Sequence, residues 1–387
     1  MHDSKELSIY IHIPFCKQKC KYCDFLSAPA TDREQEEYLH ALLGEITAQA
    51  GQYSECIVRS IYIGGGTPSV VKPEWICRIL EVLFNCFTVV EDAEISMELN
   101  PGTVTEDALS AYRRGGINRI SIGLQSVHDT ELKLLGRIHS YEDFLKTYRL
   151  VRDAGFRNVN VDIMSALPGQ KFKGYEDTLK KLLTLTPIPE HISAYSLIIE
   201  EGTPFYTLYG EEKEALERTG EAQKHLPSEE EERQMYELTG KLLEDAGYHQ
   251  YEISNYSLEG YECYHNKVYW QRGDYIGFGL GAASLVNNVR YRNFTDLRDY
   301  LDKEDKVMER TSLSVKEQMA EFMFLGLRLT SGVDKQDFYR RFGISMEEVY
   351  GQVLLDNEEK GLLINGEKVA LSKRGTDVSN YVMAQFL

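Results

Sequence analysis

Three cysteines near the start of the chain, spaced Cys16-x3-Cys20-x2-Cys23, have the residue type and the spacing to bind a metal centre. Cysteine thiolates are the ligands of 4Fe–4S clusters, so three of them on one loop bind three irons and leave the fourth iron open. A catalytic metal site needs such an open position. The alternative is a zinc knuckle, but its fourth ligand is missing, because the nearest histidine, His12, has no ligand-like spacing. The spacing therefore predicts an iron–sulfur cluster.

Further polar or glycine-rich sites follow the next predicted strands. The run 64–68, Gly-Gly-Gly-Thr-Pro, follows the second strand, and glycines there let the backbone approach a ligand closely. Glu98 and Gln125 end the third and fourth strands, and Asp162 lies on the fifth. Buried polar groups are hydrogen-bonded or functional, and together these three favour a ligand that carries hydroxyls and an ammonium group. Arg137 is either a surface residue or the partner of a carboxylate on that ligand.

Alternating strand and helix patterns position these residues over the first two thirds of the chain. Such alternation predicts βαβ units and a parallel sheet, with ligands bound where loops follow the carboxyl ends of the strands. Six units are too few for a closed eight-fold barrel, so we expect a partial (β/α) barrel. The predicted strands are 7–13, 60–63, 94–99, 118–123, 158–164 and 191–197.

The character of the sequence changes after about residue 301, where helical patterns dominate. Residues 362–371 then predict a β-hairpin with an Asn-Gly turn. The fold class is therefore α/β, a partial barrel with a small helical, winged-helix-like domain at the C-terminus. We place the barrel at residues 1–295 and the small domain at 300–387. The Glu- and Lys-rich stretch 210–232 is expected to be a solvated helical face or a loop.

Composition restricts the class of partner and the compartment. The 387 residues carry a net charge of −18, which argues against binding to nucleic acid. No apolar run approaches the ~20 residues of a membrane helix, so only transient membrane contact is compatible with the sequence. Seven cysteines with no disulfide spacing predict reduced thiols and a cytoplasmic protein.

A second candidate site is the box His265-Asn-Lys-Val-Tyr269-Trp270. A histidine can bind haem iron axially, and Tyr and Trp offer flat apolar surface to a porphyrin. The alternative is that His265 is a hydrogen-bonded core histidine and Trp270 a packing residue. Rival iron ligands are His12, His139 and His191.

Several motifs in combination resemble the oxygen-independent coproporphyrinogen III oxidase family of radical S-adenosylmethionine (SAM) enzymes. They are 10–16 (YIHIPFC), 64–68 (GGGTP), 98–101 (ELNP), 121–126 (SIGLQS), 136–137 (GR), 162–164 (DIM) and 167–170 (LPGQ). The resemblance covers nearly the whole chain and implies a 4Fe–4S cluster on Cys16, Cys20 and Cys23, whose open iron binds SAM. The residues that the resemblance assigns to SAM are Tyr10, Tyr22, Gly65, Gly66, Thr67, Glu98, Gln125, Arg137 and Asp162.

Two departures separate the chain from the oxidases of that family. The oxidases resemble CxxxCxxCxC, whereas Asp24-Phe25 follows Cys23 here, so the fourth cysteine is missing. Only nine residues precede Tyr10, too few for their N-terminal arm. Both departures count against oxidative decarboxylation, so the chain is not predicted to be a coproporphyrinogen oxidase. The HNxxYW box is instead similar to the family's other branch, the radical SAM haem chaperones.

The resemblance implies a haem chaperone that binds the cluster, SAM and haem, holds haem at His265, Tyr269 and Trp270, and delivers it to haem-requiring apoproteins such as respiratory cytochromes. It also implies SAM-supported dimerisation or haem transfer, and a small electron donor. The alternative function is an oxygen-independent coproporphyrinogen III dehydrogenase, which would oxidatively decarboxylate two propionates to give protoporphyrinogen IX.

Overall fold

Strands and helices alternate along the computed structural model, which describes residues 5–387. The strands are β1 (Lys5–Ile13), β2 (Cys56–Gly65), β3 (Thr88–Leu99), β4 (Arg119–Gln125), β5 (Val159–Ser165), β6 (His191–Ser196), β7 (His249–Glu252), β8 (Asn255–Ser257), β9 (Tyr275–Phe278), β10 (Ala283–Val286), β11 (Val289–Asn293), β12 (Val307–Ser312), β13 (Val333–Asp334), β14 (Leu363–Asn365) and β15 (Lys368–Leu371). The helices are α1 (Asp32–Ala50), α2 (Pro73–Cys86), α3 (Glu106–Arg114), α4 (Asp129–Leu135), α5 (Tyr141–Asp153), α6 (Phe172–Leu183), α7 (Pro204–Thr219), α8 (Glu229–Asp245), α9 (Tyr264–Trp270), α10 (Leu297–Asp302), α11 (Val315–Gly326), α12 (Lys335–Phe342), α13 (Met346–Glu359), α14 (Lys373–Asp377) and α15 (Ser379–Met383).

The large sheet has twelve strands in the order β12-β11-β10-β9-β1-β2-β3-β4-β5-β6-β8-β7. Strands β1 to β6 are parallel neighbours, and β9 adds parallel to β1. Antiparallel strands extend both edges, β10 to β12 on one side and β8 with β7 on the other. This arrangement confirms the predicted partial barrel, because six βα units form its parallel part.

Side chains alternate in direction along the parallel strands, so that polar ones face the inside of the barrel and apolar ones pack against the surrounding helices. In β1, Ile9 and Ile11 belong to the main hydrophobic cluster together with Leu42 of α1 and Leu80 of α2. Ser8, which precedes Ile9 and points to the opposite face, has a polar neighbour, since the Ser60 hydroxyl donates to its oxygen at 2.8 Å. The strand period of two therefore directs the site side chains into the barrel.

The Glu-rich stretch 210–232 contains the end of one helix and the start of another, joined by a loop, in line with the two alternatives expected for it. Its first half is helical, because α7 starts at Thr203, whose hydroxyl accepts from the Tyr206 amide, and ends at Gly220 in a left-handed conformation. A second helix, α8, starts at Ser228 with a capping box that Glu231 completes. Both solvated helices thus have local signals for their ends.

The small C-terminal domain has its own hydrophobic cluster, which includes Phe338 and Val369. Its antiparallel sheet has the order β13-β15-β14, and β14 and β15 form the predicted hairpin. The large sheet continues to Ser312, whereas the sequence places the domain boundary between 295 and 300. The reason is that β12 pairs with β11 along the barrel edge.

Candidate functional site

The cysteine loop leaves β1 at the carboxyl end of the barrel and is held from two sides. Its base is closed by hydrogen bonds from the Cys16 amide to the Ala28 carbonyl (3.1 Å) and from the Ala28 amide to the Pro14 carbonyl (3.0 Å). Its tip is held where the Lys21 amide donates to Leu135 at 2.9 Å, at the end of α4. The loop is therefore anchored to the framework by backbone hydrogen bonds of the chain itself.

The glycine run at the end of β2 is required by this loop. Gly65 has φ +113°, and a Cβ there would lie 2.6 Å from the His12 ring. A Cβ on Gly66 would lie 2.6 Å from the Phe15 carbonyl oxygen. The Thr67 amide donates to the same carbonyl at 2.7 Å, so β2 and the cysteine loop are in direct backbone contact. The glycines thus allow the end of β2 to pack closely against the end of β1 and the cysteine loop.

Two polar groups contact the cysteine sulfurs. The Thr67 hydroxyl lies 3.5 Å from the Cys16 Sγ, and the Arg137 guanidinium lies 3.7 Å from the Cys20 Sγ. Hydrogen bonds to sulfur are typical of cluster ligands. Within residues 5–387 no three His, Cys, Asp or Glu side chains converge on a single-ion site. A 4Fe–4S cluster does not need such convergence, because each thiolate binds a different iron, so the donor set fits the cluster.

Asn100 joins two of the predicted residues, and the sequence analysis gave it no role. Its amide nitrogen donates to the Thr67 hydroxyl at 2.7 Å, and its Oδ1 accepts from Arg137 at 2.7 Å. Arg137 also donates to the Gly123 carbonyl at 2.6 Å. The side chain of Arg137 therefore points inward beside the cysteine loop and does not lie free on the surface. The position of Asn100 two residues after Glu98, at the end of a strand, was the available signal.

Glu98 lies inside the barrel between two donors. The Tyr62 hydroxyl donates to Oε1 at 2.9 Å, and the Gly65 amide donates to Oε2 at 3.1 Å. Burial raises the pKa of Glu98 to about 7, although the hydrogen bond from Tyr62 opposes that change. Glu98 is therefore held beside the glycine run with both carboxylate oxygens oriented.

Asp162 faces the same interior from β5. The Ser121 hydroxyl and the Asn160 amide donate to its two oxygens at 3.2 and 2.7 Å. Burial raises the pKa of Asp162, and these hydrogen bonds and the positive charge of Arg119 oppose the rise. Arg119 is 1% exposed, and its Nε has no hydrogen-bond partner among the described residues. A charged residue within an otherwise apolar strand was the signal for Arg119, which the sequence analysis did not use.

The other predicted SAM residues surround this interior. Gln125 is buried at the end of β4 with φ +70°, a conformation that non-glycine residues adopt mainly at functional sites. Tyr10 points its hydroxyl to the His12 Nδ1 at 3.0 Å. Tyr22 lies on the cysteine loop, with its ring 6.4 Å from that of Phe205. The structure therefore gathers the predicted residues at one end of the barrel.

The HNxxYW box forms α9 and lies at the opposite end, where the parallel strands begin. Glu94 lies in the middle of β3. Its carboxylate accepts hydrogen bonds from the amides of Tyr264 (2.8 Å) and His265 (3.1 Å) at the first turn of α9. His265 is 1% exposed. Its Nδ1 lies 2.9 Å from the Ser60 hydroxyl and its Nε2 lies 2.8 Å from the Tyr269 hydroxyl. Burial lowers the pKa of His265 to about 3.

The rest of the box is also packed. The Trp270 ring lies 4.3 Å below the Arg328 guanidinium, and its buried Nε1 has no hydrogen-bond partner in the described part of the chain. The rival histidines are buried as well. Their ring nitrogens contact Leu26 O (His12, 2.8 Å), Leu124 O (His139, 3.3 Å) and Asn160 Oδ1 (His191, 2.6 Å).

One chain of contacts connects the two ends of the barrel. The His265 ring stacks on the Tyr62 ring with 5.2 Å between centroids, and the Tyr62 hydroxyl holds Glu98. The HNxxYW box and the cysteine loop are thus separate sites, and Tyr62 and Glu98 connect them inside the barrel.

The open parallel barrel and the three-cysteine loop at its carboxyl end define a radical SAM protein. Residues 10–182 match the family model of the Radical SAM superfamily, and residues 313–378 match that of the HemN C-terminal domain. A radical SAM domain implies a 4Fe–4S cluster and SAM as cofactors.

Sequence comparison is more specific. The chain is 36% identical to "Heme chaperone HemW" of Bacillus subtilis, covering 98% of this chain and 99% of the relative, and 34% identical to the Lactococcus lactis protein of the same name, covering 99% and 98%. The chain therefore belongs to the HemW family of heme chaperones. Among solved structures, coproporphyrinogen III oxidase (HemN) from Escherichia coli has a TM-score of 0.84 at 21% identity, covering 99% of this chain and 90% of that one. That likeness concerns the fold.

None of the helices within residues 5–387 is long and apolar enough to cross a membrane.

Proposed function

We propose that the protein is a haem chaperone that binds a 4Fe–4S cluster, SAM and haem and delivers haem to haem-dependent proteins. The observation that carries the proposal is the cysteine loop, anchored beside a polar barrel interior, in a chain that belongs to the HemW family. When bound, the cluster supplies an open iron for SAM and a site for one electron.

The residues of this chain divide into three groups. Cys16, Cys20 and Cys23 hold the cluster. Thr67 and Arg137 donate hydrogen bonds toward two of the sulfurs, and Asn100 fixes both donors. The groups proposed to bind SAM are the two buried carboxylates, the backbone of the glycine run, and the polar side chains around them. They are Tyr10, Tyr22, Gly65, Gly66, Thr67, Glu98, Gln125, Arg137 and Asp162.

Haem contact at His265, Tyr269 and Trp270 stays a prediction. Ligation of haem iron by His265 requires that one of its present hydrogen bonds opens. Because Nε2 of His265 is hydrogen-bonded to Tyr269 and Nδ1 to Ser60, iron can bind either nitrogen only after one of these bonds opens. The low pKa of His265 keeps the imidazole neutral, which is the form that binds a metal.

The partners follow from the same proposal. Haem-requiring apoproteins, among them respiratory cytochromes, receive the cargo. A second copy of the chain and a small electron donor assist haem transfer. Delivery of haem involves transient membrane contact. We place the protein in the cytoplasm, because all seven cysteines are free thiols and such a cluster needs a reducing compartment.

An anaerobic haem titration of the cluster-reconstituted protein tests the proposal. We expect saturable binding in the wild type, weakened in His265→Ala. The matched control is His40→Ala, an exposed histidine of α1. Cys20→Ala removes a cluster ligand and shows whether haem binding depends on the cluster.

Each outcome has a defined meaning. Saturable binding that His265→Ala leaves unchanged would keep the chaperone and move the iron ligand elsewhere. Weak, unsaturable uptake by the wild type would contradict the chaperone. The next assay would then be anaerobic turnover of coproporphyrinogen III with SAM and a reductant.

A further inference from the structure

Arg119 is a buried cation near the end of the barrel where the parallel strands begin. It is the first residue of β4 and is 1% exposed. In the sheet register it lies beside Ser96 of β3, whereas Glu98 lies beside Ser121, the next residue of β4 that faces the same side. The hydroxyl of Ser121 contacts Asp162 inside the barrel, so Arg119 also faces the interior, one position below Glu98.

The guanidinium of Arg119 is unpaired, in contrast to those of two other buried arginines. Arg152 pairs with Glu190 at 2.8 Å, and Arg272 pairs with Glu321 at 2.9 Å. Arg119 forms no such pair with a carboxylate of residues 5–387, and its Nε has no hydrogen-bond partner there. A buried charge without a contacting counterion is costly, so its presence indicates that the charge itself is used.

The charge of Arg119 acts on the two carboxylates of the proposed SAM site. Burial raises the pKa of Glu98 to about 7 and also raises the pKa of Asp162, and the positive charge of Arg119 opposes both rises. Each of the two carboxylates also raises the pKa of the other group through its negative charge. Without Arg119 both carboxyl groups would therefore be more protonated at neutral pH.

The other titratable groups that face Glu98 offer no positive charge to replace that of Arg119. From β1, β2, β6 and α9 they are tyrosines, whose pKa is raised by burial, and from β5 the facing group is a carboxylate. They are Tyr10, Tyr62, Tyr195, Tyr269 and Asp162. Burial also lowers the pKa of the nearby His191 and His265, so these rings are neutral. Arg137 lies toward the cysteine loop, where its guanidinium donates to Asn100 at 2.7 Å.

Neither carboxylate is occupied by the arginine. Among the described residues, Glu98 accepts from the Tyr62 hydroxyl and the Gly65 amide, and Asp162 accepts from a serine hydroxyl and a side-chain amide. These donors are neutral. A direct ion pair would use the oxygen lone pairs that a ligand needs, whereas a cation beyond contact distance stabilises the negative charge and leaves them available.

We propose that Arg119 is a positioning residue of the SAM site, a buried cation that keeps Glu98 and Asp162 ionised without occupying them. This role rests on the proposed function, which assigns both carboxylates to SAM. Once ionised, the carboxylates accept hydrogen bonds from the hydroxyl and ammonium groups of the ligand.

The pH profile of SAM affinity tests this role. It is measured by calorimetric titration of the full-length, cluster-loaded protein under anaerobic conditions. The wild type should bind SAM more tightly as the pH rises, with a midpoint near the Glu98 pKa of about 7. In Arg119→Met we expect a midpoint about one pH unit higher. SAM then binds about fivefold more weakly at about pH 7 and like the wild type at about pH 9. Titration of SAM itself contributes equally to every variant.

Three further variants complete the experiment. Arg119→Lys keeps the charge and should restore the wild-type profile. Arg114→Met, at an exposed arginine of α3, changes the net charge equally and should leave the profile unchanged. Arg119→Met/Glu94→Gln also removes a carboxylate close to Arg119, so no unpaired charge is left behind, and it should show the same shift as Arg119→Met. Circular dichroism shows which variants are folded.

Three results would overturn the role of Arg119 while leaving the SAM site intact. They are a wild-type midpoint in the folded Arg119→Met variants, an equal loss of affinity at both pH values, or an Arg119→Lys profile that matches Arg119→Met. An equal loss at both pH values is what a role in packing alone would give. No binding of SAM by the cluster-loaded wild type would instead contradict the SAM site of the proposed function.

Discussion

Tyr62 shows how one side chain can support the site from inside the barrel. Its hydroxyl donates to Glu98, and its ring stacks on His265. Among residues 5–387, Glu98 has one other donor, the Gly65 amide. The orientation of the carboxylate therefore depends on two hydrogen bonds, and the one from Tyr62 can be removed without losing the ring packing.

We expect Tyr62→Phe to weaken SAM binding about fivefold. The substitution keeps the stack on His265 but removes a hydrogen bond that is worth about 1 kcal/mol and that orients Glu98. Calorimetric titration of SAM into the cluster-loaded protein under anaerobic conditions measures the change.

The matched control is Tyr264→Phe, which removes the same atom at the other end of the barrel. The Tyr264 hydroxyl donates to Glu6 at 3.2 Å on the surface, so SAM affinity should not change. Equal affinities of wild type and Tyr62→Phe would show that Glu98 does not depend on Tyr62 for its role.

The sequence predicted some residues of the site and missed others for a physical reason. The three cysteines and the glycine run are close together in the chain, so their spacing carries the signal. Tyr62, Asn100 and Arg119 act through partners on other strands, and which strands are neighbours is not visible from a single sequence. The burial of His265, with both ring nitrogens bonded, likewise depends on Ser60, which is 205 residues away.

At the level of elements, α1 links the end of β1, where the cysteine loop starts, to the segment that follows the neighbouring strand β9. Its Tyr38 donates to the His12 carbonyl at 2.6 Å and accepts from the Leu280 amide at 3.0 Å. Two turns further on, Glu45 accepts from the Gly279 amide (2.9 Å) and the Tyr300 hydroxyl (2.7 Å). Helix α1 thus holds the strand β9 and the helix α10 against the loop that carries the cysteines.

Glu45 gives this element a pH dependence. Burial raises the pKa of Glu45 to about 7, from about 4.3 for an exposed glutamate. Between these two values the folded state binds more protons than the unfolded state, so the contribution of Glu45 to stability falls as the pH rises. Relative to Glu45→Gln, the wild type should lose about 2–3 kcal/mol of unfolding free energy between about pH 5 and pH 8. Urea unfolding at both pH values measures it.

The control for this prediction lies on the same helix. Glu37 is exposed and pairs with Arg33 at 2.8 Å, so Glu37→Gln should keep the pH dependence of the wild type. A pH dependence that is the same in Glu45→Gln and in the wild type would contradict the raised pKa.

Helix α1 can be predicted from the sequence, because residues 32–50 carry apolar side chains at helical spacing. Its start is marked locally by Thr31 and Glu34, which form a capping box. The strand β12 was missed, because five of its six residues are exposed and it has no apolar alternation to reveal it. It becomes a strand through pairing with β11, and this pairing extends the large sheet beyond the expected boundary.

Over the whole molecule, the main hydrophobic cluster of the barrel and the cluster of the C-terminal domain are joined through contacts at α9 and α11. Helix α11 of the C-terminal domain packs against α9, and just beyond it Arg328 reaches back to the barrel. Its guanidinium lies over the Trp270 ring and pairs at 3.3 Å with Glu252, whose side chain is fully buried. The HNxxYW helix is therefore covered by the small domain, and this contact contains a buried charge.

Arg328→Ala should therefore destabilise the whole molecule, because it leaves the Glu252 carboxylate buried without its cation. Burial already raises the pKa of Glu252 and the charge of Arg328 opposes that rise, so the substitution raises it further. Losing one partner of a buried pair costs about 3–5 kcal/mol, and we expect about 2–3 here because Ser254 and Asn255 still donate to the carboxylate. Urea unfolding, followed by fluorescence and circular dichroism, measures the loss.

The control is Arg340→Ala, which breaks an exposed ion pair with Asp337 and should cost less than about 1 kcal/mol. Equal losses in the two variants would show that the Arg328 pair does not hold the domains together.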